Sequence, residues 1–196
     1  MNITLQKERL LIIEGEVEMK ILLHVCCGPC STFVIEQLKS EGHELVLFFP
    51  NSNIYPKEER EKRKLYAEKV SEIYELDFIF DEYNHPEWKE FVRGLESEPS
   101  GGKRCAKCFE MNLTKAAMKA RELGIENFTT TLTVSRFKKS HMVIAVGRAV
   151  GSRIGVNFLD YDFKKKGGYD KSIELAKKYG LYQQSYCGCE FSLRKN

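Results

Sequence analysis

Short apolar runs alternate with longer amphipathic stretches along most of this chain. Residues 19–25 (MKILLHV), 44–50 (ELVLFFP) and 77–80 (DFIF) are apolar segments of strand length, and a stretch with helical spacing follows each of the first two. An almost continuous apolar run of this length is typical of a strand that is buried in a parallel sheet. The pattern therefore predicts strands that alternate with helices.

The helical segments show apolar positions three and four residues apart and have recognisable ends. In residues 31–42, Phe33, Val34 and Leu38 repeat at this spacing, Ser31 can cap the first turn, and Gly42 can end the helix. Further helices are predicted at 57–76, around 88–95, at 105–124, at 138–155 and within 164–181. Residues 127–135 are rich in strand-forming residues, and 156–163 fit a strand or an extended segment.

Strands that alternate with helices form a parallel sheet covered on both faces. We therefore predict a single-domain α/β fold for residues 19–196, preceded by an N-terminal extension (1–18) to which the sequence assigns no role. Ligands of such folds bind at the C-terminal ends of the strands. The segments CCGPC, PNSNIYP and TTTLTVS each follow or end a predicted strand, so we expect them to share one crevice.

Composition and charge narrow the class of protein. The chain has 196 residues, of which 42% are hydrophobic and 30% charged, as expected for one globular domain. Its net charge of +3 permits a nucleic-acid partner without requiring one. No apolar run approaches the roughly 18 residues of a membrane span, and the N-terminus lacks a secretory signal pattern, so we expect a cytoplasmic protein with no membrane partner.

Seven cysteines in a cytoplasmic chain favour metal or redox chemistry over a structural disulfide framework. They form an N-terminal, a middle and a C-terminal group: Cys26, Cys27 and Cys30; Cys105 and Cys108; Cys187 and Cys189. The N-terminal group lies at a predicted helix N-terminus, which favours thiolate. The middle pair shares one helix face. In an extended segment, the C-terminal pair would point the same way.

All seven cysteines are candidate metal ligands. Four thiolates satisfy a [4Fe–4S] cluster, and Cys26 and Cys27 together with the middle pair would supply four. Cys30 and the C-terminal pair could then bind a second metal, or Cys187 and Cys189 could form a strained, redox-active disulfide. A structural zinc site would leave three cysteines idle, and thioredoxin-like exchange would use only Cys27 and Cys30.

Five segments occur together in one order: HVCCGPCS, PNSNIYPKEEREKR, KRCAKCFEMNL, FTTTLTVS and LYQQSYCGCEFS. This combination, from about residue 22 to about residue 192, resembles the QueH family of epoxyqueuosine reductases. The resemblance implies a Rossmann-like fold of HUP type and an enzyme that reduces epoxyqueuosine, at the wobble position of the tRNA anticodon, to queuosine.

The same resemblance implies cofactors and an electron donor. A [4Fe–4S] cluster would be held by Cys26, Cys27, Cys105 and Cys108. Cys187 and Cys189 would be redox-active or would bind a second, mononuclear iron. The electrons would come from a ferredoxin- or flavodoxin-like protein.

Candidate catalytic residues are Cys187, Cys189 and Tyr186, with His24 and Asp81 as further proton donors by residue type. The candidate substrate-binding residues follow predicted strands or open a helix: Asn51, Asn53, Tyr55, Arg104, Thr130, Thr131 and Ser135. Turn chemistry for the asparagines and strand propensity for the threonines are the alternative interpretations.

Several basic runs could contact phosphates: Lys138 and Lys139, Lys164 to Lys166, and Arg194 and Lys195. The run from Arg60 to Lys64 is interleaved with glutamates, so we expect it to be a solvated face. Two other functions remain open, an ATP-using tRNA thiolation enzyme with a cluster and a zinc-stabilised binding module. The thiolation enzyme would need a glycine-rich loop to bind the phosphates of ATP at the position where this chain has CCGPCS.

Overall fold

The computed structural model describes residues 18–193, the side chain of Lys166 excepted. The predicted extension up to residue 17, and Arg194 and Lys195, therefore lie outside the described residues. The strands are β1 (Lys20–His24), β2 (Glu44–Phe49), β3 (Asp77–Phe80), β4 (Asn127–Thr130) and β5 (Asn157–Phe158). The helices are α1 (Gly28–Ser40), α2 (Lys57–Tyr74), α3 (His85–Phe91), α4 (Lys103–Glu122), α5 (Ser140–Ile154) and α6 (Gly168–Lys178).

All five strands are parallel and follow the order β3-β2-β1-β4-β5. The central strand β1 pairs Leu23 with Leu47 of β2 on one side and with Thr129 of β4 on the other. The chain moves outward from β1 to β3 and then returns to the other side of β1. The C-terminal ends of β1 and β4 are therefore the topological switch point, where Rossmann-like folds bind their ligands. The predicted α/β fold is confirmed.

Side chains of β1 alternate between two buried layers because successive residues of a strand point to opposite faces. Ile21 and Leu23 pack into the layer that also contains apolar residues of α1, α2 and α6. Leu22 packs into the layer formed with α4 and α5. With both faces covered, β1 has no exposed residue after Lys20, and its C-terminal end is held rigidly.

One glycine allows α1 and α2 to approach each other closely. A Cβ added to Gly28 would lie 2.5 Å from the backbone carbonyl oxygen of Tyr66 and 2.9 Å from its carbonyl carbon. These backbone atoms of α2 cannot move aside as the end of a flexible side chain could. Gly28 therefore sets the position of the N-terminus of α1, which carries the N-terminal cysteine group.

Two element boundaries near the switch point differ from the sequence prediction. Helix α1 begins at Gly28 rather than at Ser31, because proline is well tolerated in a first turn, and Pro29 lies there. Strand β4 ends at Thr130, and residues 131–134 form a 3₁₀ turn that is capped by the Thr130 hydroxyl, which accepts a hydrogen bond from the Leu132 N–H. Within residues 18–193, no helix is both long and apolar enough to cross a membrane.

Candidate metal and redox site

The N-terminal cysteine group converges at the end of β1. The sulfur atoms of Cys26, Cys27 and Cys30 all lie within 4.8 Å of one another, and those of Cys26 and Cys27 are 3.8 Å apart. Cys27 is the residue before α1, and Cys30 lies in its first turn. The first turn of α1 thus brings the sulfur of Cys30 close to those of the adjacent residues Cys26 and Cys27.

Neighbouring elements hold these thiols in place. The Cys26 N–H donates to the Thr131 hydroxyl (3.1 Å), and that hydroxyl lies 3.4 Å from the Cys26 sulfur. The Gln184 side-chain amide donates to the Cys27 sulfur (3.0 Å). Thr131 belongs to the turn after β4, so both sides of the switch point contribute to the group.

The three thiols have unequal proton affinities. Hydrogen bonds from Cys27 and Cys30 to the Cys26 sulfur hold the pKa of Cys26 well below its usual range. The same contact with Cys26 raises the pKa of Cys27 to about 12 and that of Cys30 far above the ordinary thiol value. The group therefore has one sulfur that is readily ionised, and thiolate is the form that binds metals.

A narrow cleft with a cavity volume of about 30 Å³, partly open to solvent, connects the three cysteine groups. One cysteine of each group lines it: Cys26, Cys108 and Cys187. The cleft also contains two cationic side chains, Arg63 and Lys138. Residues far apart in the chain thus surround one thiol-rich space at the switch point.

The middle group is held from the loop after β2. The Asn112 side-chain amide donates to the Cys108 carbonyl (2.9 Å) and to the Asn53 side-chain oxygen (3.1 Å), and it lies 3.7 Å from the Cys108 sulfur. The Gly101 N–H points at the Cys105 sulfur at 3.2 Å. Burial and the neighbouring sulfurs of the C-terminal group raise the pKa of Cys108.

The C-terminal pair does not form the disulfide that was one of the two sequence-based options. All seven cysteines, which all lie within residues 18–193, are free thiols. Gly188 has a φ of 129°, so the segment is not a regular extended strand. Cys187 is exposed toward the cleft, whereas Cys189 is 8% exposed and packs against Trp88, Val92 and Met111.

Arg63 holds the C-terminal group against α2. Its guanidinium donates to the carbonyls of Cys187 (3.0 Å) and Tyr186 (3.2 Å) and pairs with Glu59 at 2.7 Å. Arg63 is 3% exposed and Arg60 is 2% exposed, so the expectation of a solvated face for residues 60–64 is wrong at both positions. Charge alternation along the helix could not reveal which cation points inward, because that depends on where residues 186 and 187 return.

Lys138 is the cleft residue that sequence reasoning assigned only to phosphate contact. Within the described part of the chain, its ammonium has no hydrogen-bond or ion-pair partner. Burial alone would lower the pKa of Lys138, but the sulfurs of Cys187 and the N-terminal group raise it above its usual range. The ammonium therefore stays charged, faces the thiols and is free to bind a ligand.

The predicted substrate residues separate into two sets. Asn51 and Asn53 line the cleft, although the Asn51 amide also donates to the Val25 carbonyl (2.6 Å). Thr131 contacts Cys26, and Ser135 caps the next loop through the Phe137 N–H. The remaining three residues, Thr130, Tyr55 and Arg104, do not line the cleft.

The Thr130 hydroxyl lies 2.8 Å from Nδ1 of His24. Tyr55 stacks on His85, with ring centroids 5.1 Å apart, and its N–H donates to the Gly188 carbonyl (2.8 Å). Arg104 is 4% exposed and donates to three carbonyls between residues 95 and 98, so it orders the loop before α4 and does not line the cleft.

The predicted proton donors also differ in position. The Tyr186 hydroxyl donates to the Tyr55 carbonyl, and burial raises the pKa of Tyr186 to about 12. Burial lowers the pKa of His24 to about 4, so its ring is neutral near pH 7. Asp81 lies 4.0 Å from Lys115 and does not line the cleft.

The fold and this site define a class: a Rossmann-like α/β protein with a thiol-rich centre at its switch point. Two solved structures share the fold, each with a TM-score of 0.56. One is a "predicted subunit of tRNA methyltransferase" from Methanocaldococcus jannaschii (15% identity, 81% of this chain and 74% of that chain). The other is the U34-tRNA thiolase NcsA from Methanococcus maripaludis with its [4Fe–4S] cluster (14% identity, 92% of this chain and 63% of that chain). At these identities the likeness concerns the fold alone.

The sequence comparison is more specific. The family model for the epoxyqueuosine reductase QueH matches residues 21–195. Proteins of that name from Streptococcus pyogenes, Acinetobacter baylyi and Thermotoga maritima are 40%, 39% and 36% identical. The matches cover 91%, 89% and 88% of this chain, and 72%, 81% and 90% of the respective relatives. The chain belongs to the QueH family of epoxyqueuosine reductases.

Proposed function

We propose that this protein reduces epoxyqueuosine, in the wobble position of a tRNA anticodon, to queuosine. The observation that carries the proposal is the cleft at the switch point, which brings together Cys26, Cys108 and Cys187 from three distant segments. Family membership supplies the reaction, since the relatives named above are epoxyqueuosine reductases. The reaction breaks both C–O bonds of the epoxide, forms a C=C bond, and consumes two electrons and two protons as the oxygen leaves as water.

The donor set suits an iron–sulfur cluster. Fe–S clusters are bound by cysteine thiolates, and three cysteines from distant segments line the cleft, of which Cys26 is readily ionised. We assign Cys26 and Cys27 with Cys105 and Cys108 as cluster ligands, following the sequence prediction. Cys30, which lies within 4.8 Å of the first two sulfurs, is the alternative to one of the middle pair. When bound, such a cluster supplies electrons one at a time.

Cys187 and Cys189 are proposed to act beside the cluster as free thiols or as ligands of a second metal. The exposed Cys187 faces the cleft, and its carbonyl is fixed by Arg63. The buried Cys189 lies in the apolar cluster around Trp88, against which Cys108 also packs. Tyr186 orders this segment through its hydrogen bond to the Tyr55 carbonyl.

Lys138 is proposed to bind the epoxide oxygen. Negative charge develops on this oxygen as each C–O bond breaks, and a preorganised cation in a cleft is an effective stabiliser of such charge. Its ammonium has no partner among residues 18–193, so a ligand need not displace one. Asn51 and Asn53 line the same cleft and can offer amide contacts to the modified base.

The activity test uses the full-length protein, loaded with iron and sulfide under anaerobic conditions and reduced chemically. It is incubated with tRNA that carries epoxyqueuosine, and the nucleosides are analysed by mass spectrometry after digestion. We expect a product that has lost one oxygen atom. The C26S variant is the matched negative control. If the reduced, cluster-loaded protein leaves epoxyqueuosine unchanged, the proposal is wrong.

The same preparation tests the other two functions. A thiolation enzyme would add sulfur to the RNA in an ATP-dependent reaction, whereas a zinc-stabilised module would be colourless and contain zinc without iron. Neither outcome is expected. The alternatives are disfavoured by the family assignment and by the sequence CCGPCS, which occupies the place of an ATP-binding glycine-rich loop.

A further inference from the structure

The loop between β4 and α5 carries an open aromatic ring beside the cleft. Phe137 is 77% exposed, more than any other large hydrophobic side chain among the described residues. A single exposed ring on a protein surface needs no special explanation. This ring, however, lies in the sequence SRFKKS (135–140), where three of its neighbours are cationic and the next residue, Lys138, lines the cleft.

The cations around Phe137 have no carboxylate partner in the part of the chain that the structure describes. Within residues 18–193, none of Arg136, Lys138, Lys139 and Lys164 forms an ion pair with a carboxylate. The Arg136 guanidinium lies 5.0 Å from the ring centroid of Phe137 and 4.8 Å from that of Tyr169. The Phe137 and Tyr169 rings and the Arg136 guanidinium thus form one patch, next in the chain to the cleft residue Lys138.

The loop is tied on both sides, so it presents a preformed surface. The Lys164 ammonium donates to the Lys138 carbonyl (2.6 Å), and the Lys139 ammonium donates to the Gly101 carbonyl (3.3 Å). The first bond ties the loop to the segment before α6, and the second ties it to the loop before α4. Both hydrogen bonds are donated by lysine side chains, and the Phe137 ring remains exposed to solvent.

We propose that this loop binds the nucleotide next to the one in the cleft, with Phe137 stacking on its base and Arg136 contacting its phosphate. The proposal rests on the proposed function, which places an RNA loop at this site. Single-stranded RNA is recognised by aromatic side chains that stack on unpaired bases and by cations that contact the backbone. The patch offers both, one residue away from Lys138, and its charge complements a polyanion.

The experiment measures binding rather than turnover. Cluster-loaded, full-length protein is titrated into a labelled anticodon stem–loop RNA with an unmodified wobble guanine, and fluorescence anisotropy is followed at several salt concentrations. The second probe is the same stem closed by a compact tetraloop without free bases. The variants are F137A, F137W and R136A, each checked by circular dichroism and thermal melting.

Two matched controls lie elsewhere in the fold. Phe80 is 49% exposed at the edge strand β3, with the Lys64 ammonium 4.1 Å from its ring. Lys178 lies 5.1 Å from the Tyr179 ring at the C-terminal end of α6, whereas the Tyr169 contact of Arg136 lies at the N-terminal end of that helix. The variants F80A and K178A change a similar ring or cation, so they should bind the stem–loop like the wild type.

We expect F137A to weaken stem–loop binding about tenfold, as typical of the loss of one stacked base, while F137W stays within about threefold of the wild type. The binding constant K falls as the salt concentration rises. R136A should reduce the magnitude of the slope of log K against the log of the salt concentration by somewhat less than one. The tetraloop hairpin should bind weakly and respond little to F137A. Stem–loop binding by F137A within about twofold of the wild type would overturn the proposal.

Failure of this surface and failure of the proposed function are distinguishable. If the wild type converts epoxyqueuosine but F137A binds and reacts like it, the loop assignment is wrong and the function stands. If the wild type binds the stem–loop through Phe137 but leaves epoxyqueuosine unchanged, the surface is supported and the reductase proposal falls. A wild type that binds neither RNA overturns the surface.

Discussion

The guanidinium of Arg63 on α2 donates a 3.0 Å hydrogen bond to the backbone carbonyl of Cys187, 124 residues further along the chain. A second bond reaches the Tyr186 carbonyl, and Glu59 neutralises the buried charge. Gly188 packs directly against this guanidinium, since a Cβ added there would lie 3.0 Å from Nη1. The position of the C-terminal cysteines in the cleft therefore depends on one arginine of a distant helix.

Replacing Arg63 by Met should release residues 186–189 from α2 and leave the partly buried Glu59 carboxylate with the Tyr182 hydroxyl but without its cation. Breaking such a buried, hydrogen-bonded charge typically costs about 3 kcal/mol or more. We expect a lower melting temperature, faster amide hydrogen exchange at residues 184–190 and loss of reductase activity. The matched control is R148M, which removes an exposed pair with Asp160 and should change stability by less than about 1 kcal/mol. Unchanged exchange at 184–190 in R63M would contradict the role of Arg63.

Replacing Lys138 by Met should reduce turnover while the cluster still binds. Loss of one preorganised charge-stabilising donor typically lowers kcat by about 10²- to 10³-fold. We expect this effect on kcat with normal iron content, and partial activity in K138R, which keeps the charge. Steady-state kinetics and iron analysis of the same samples check both points. A K138M enzyme with wild-type kcat would exclude contact between this ammonium and the epoxide oxygen.

Serine variants of the cysteines should identify the cluster ligands. Each of C26S, C27S, C105S and C108S should lose most of its iron, sulfide and visible absorbance after anaerobic reconstitution, because a serine hydroxyl ionises far less readily than a thiol and is a poor Fe–S ligand. C30S and C187S should retain the cluster. Circular dichroism shows whether each variant is folded. If C30S loses the cluster and C105S keeps it, Cys30 replaces Cys105 in the ligand set.

A methyl group at Gly28 should force α1 away from α2. Because the obstructing atoms belong to the Tyr66 backbone, we expect G28A to be destabilised by about 1–3 kcal/mol, the usual range for overpacking. The shift also moves the first turn of α1, so iron binding should weaken. S40A, at the exposed end of the same helix, is the control and should behave like the wild type. Denaturant unfolding and iron analysis provide the two measurements, and wild-type values for G28A would contradict the close contact.

Local sequence patterns were sufficient for most of the secondary structure. The apolar run at 19–25 predicted β1, which spans Lys20–His24, and the run at 44–50 predicted β2, which spans Glu44–Phe49. Near the switch point the prediction was less accurate. Thr130 to Val134 favour a strand by propensity, but the chain turns at Thr131 so that its hydroxyl can meet Cys26. Tertiary contact thus outweighed β propensity there.

By itself, the sequence determined the parallel α/β class, the three cysteine groups and the place of the N-terminal group after a strand, because these follow from periodicity and local spacing. Only the tertiary structure decided that Cys26, Cys108 and Cys187 share one cleft, that Arg63 points inward, and that Lys138 faces the thiols with no ion-pair partner among residues 18–193. It also decided that the Arg104 guanidinium donates hydrogen bonds to carbonyls of the loop before α4. The physical reason is that the local pattern of apolar residues determines which face of a helix or strand is buried. Which residues that face contacts depends on how segments more than 100 residues apart in the chain come together in the fold.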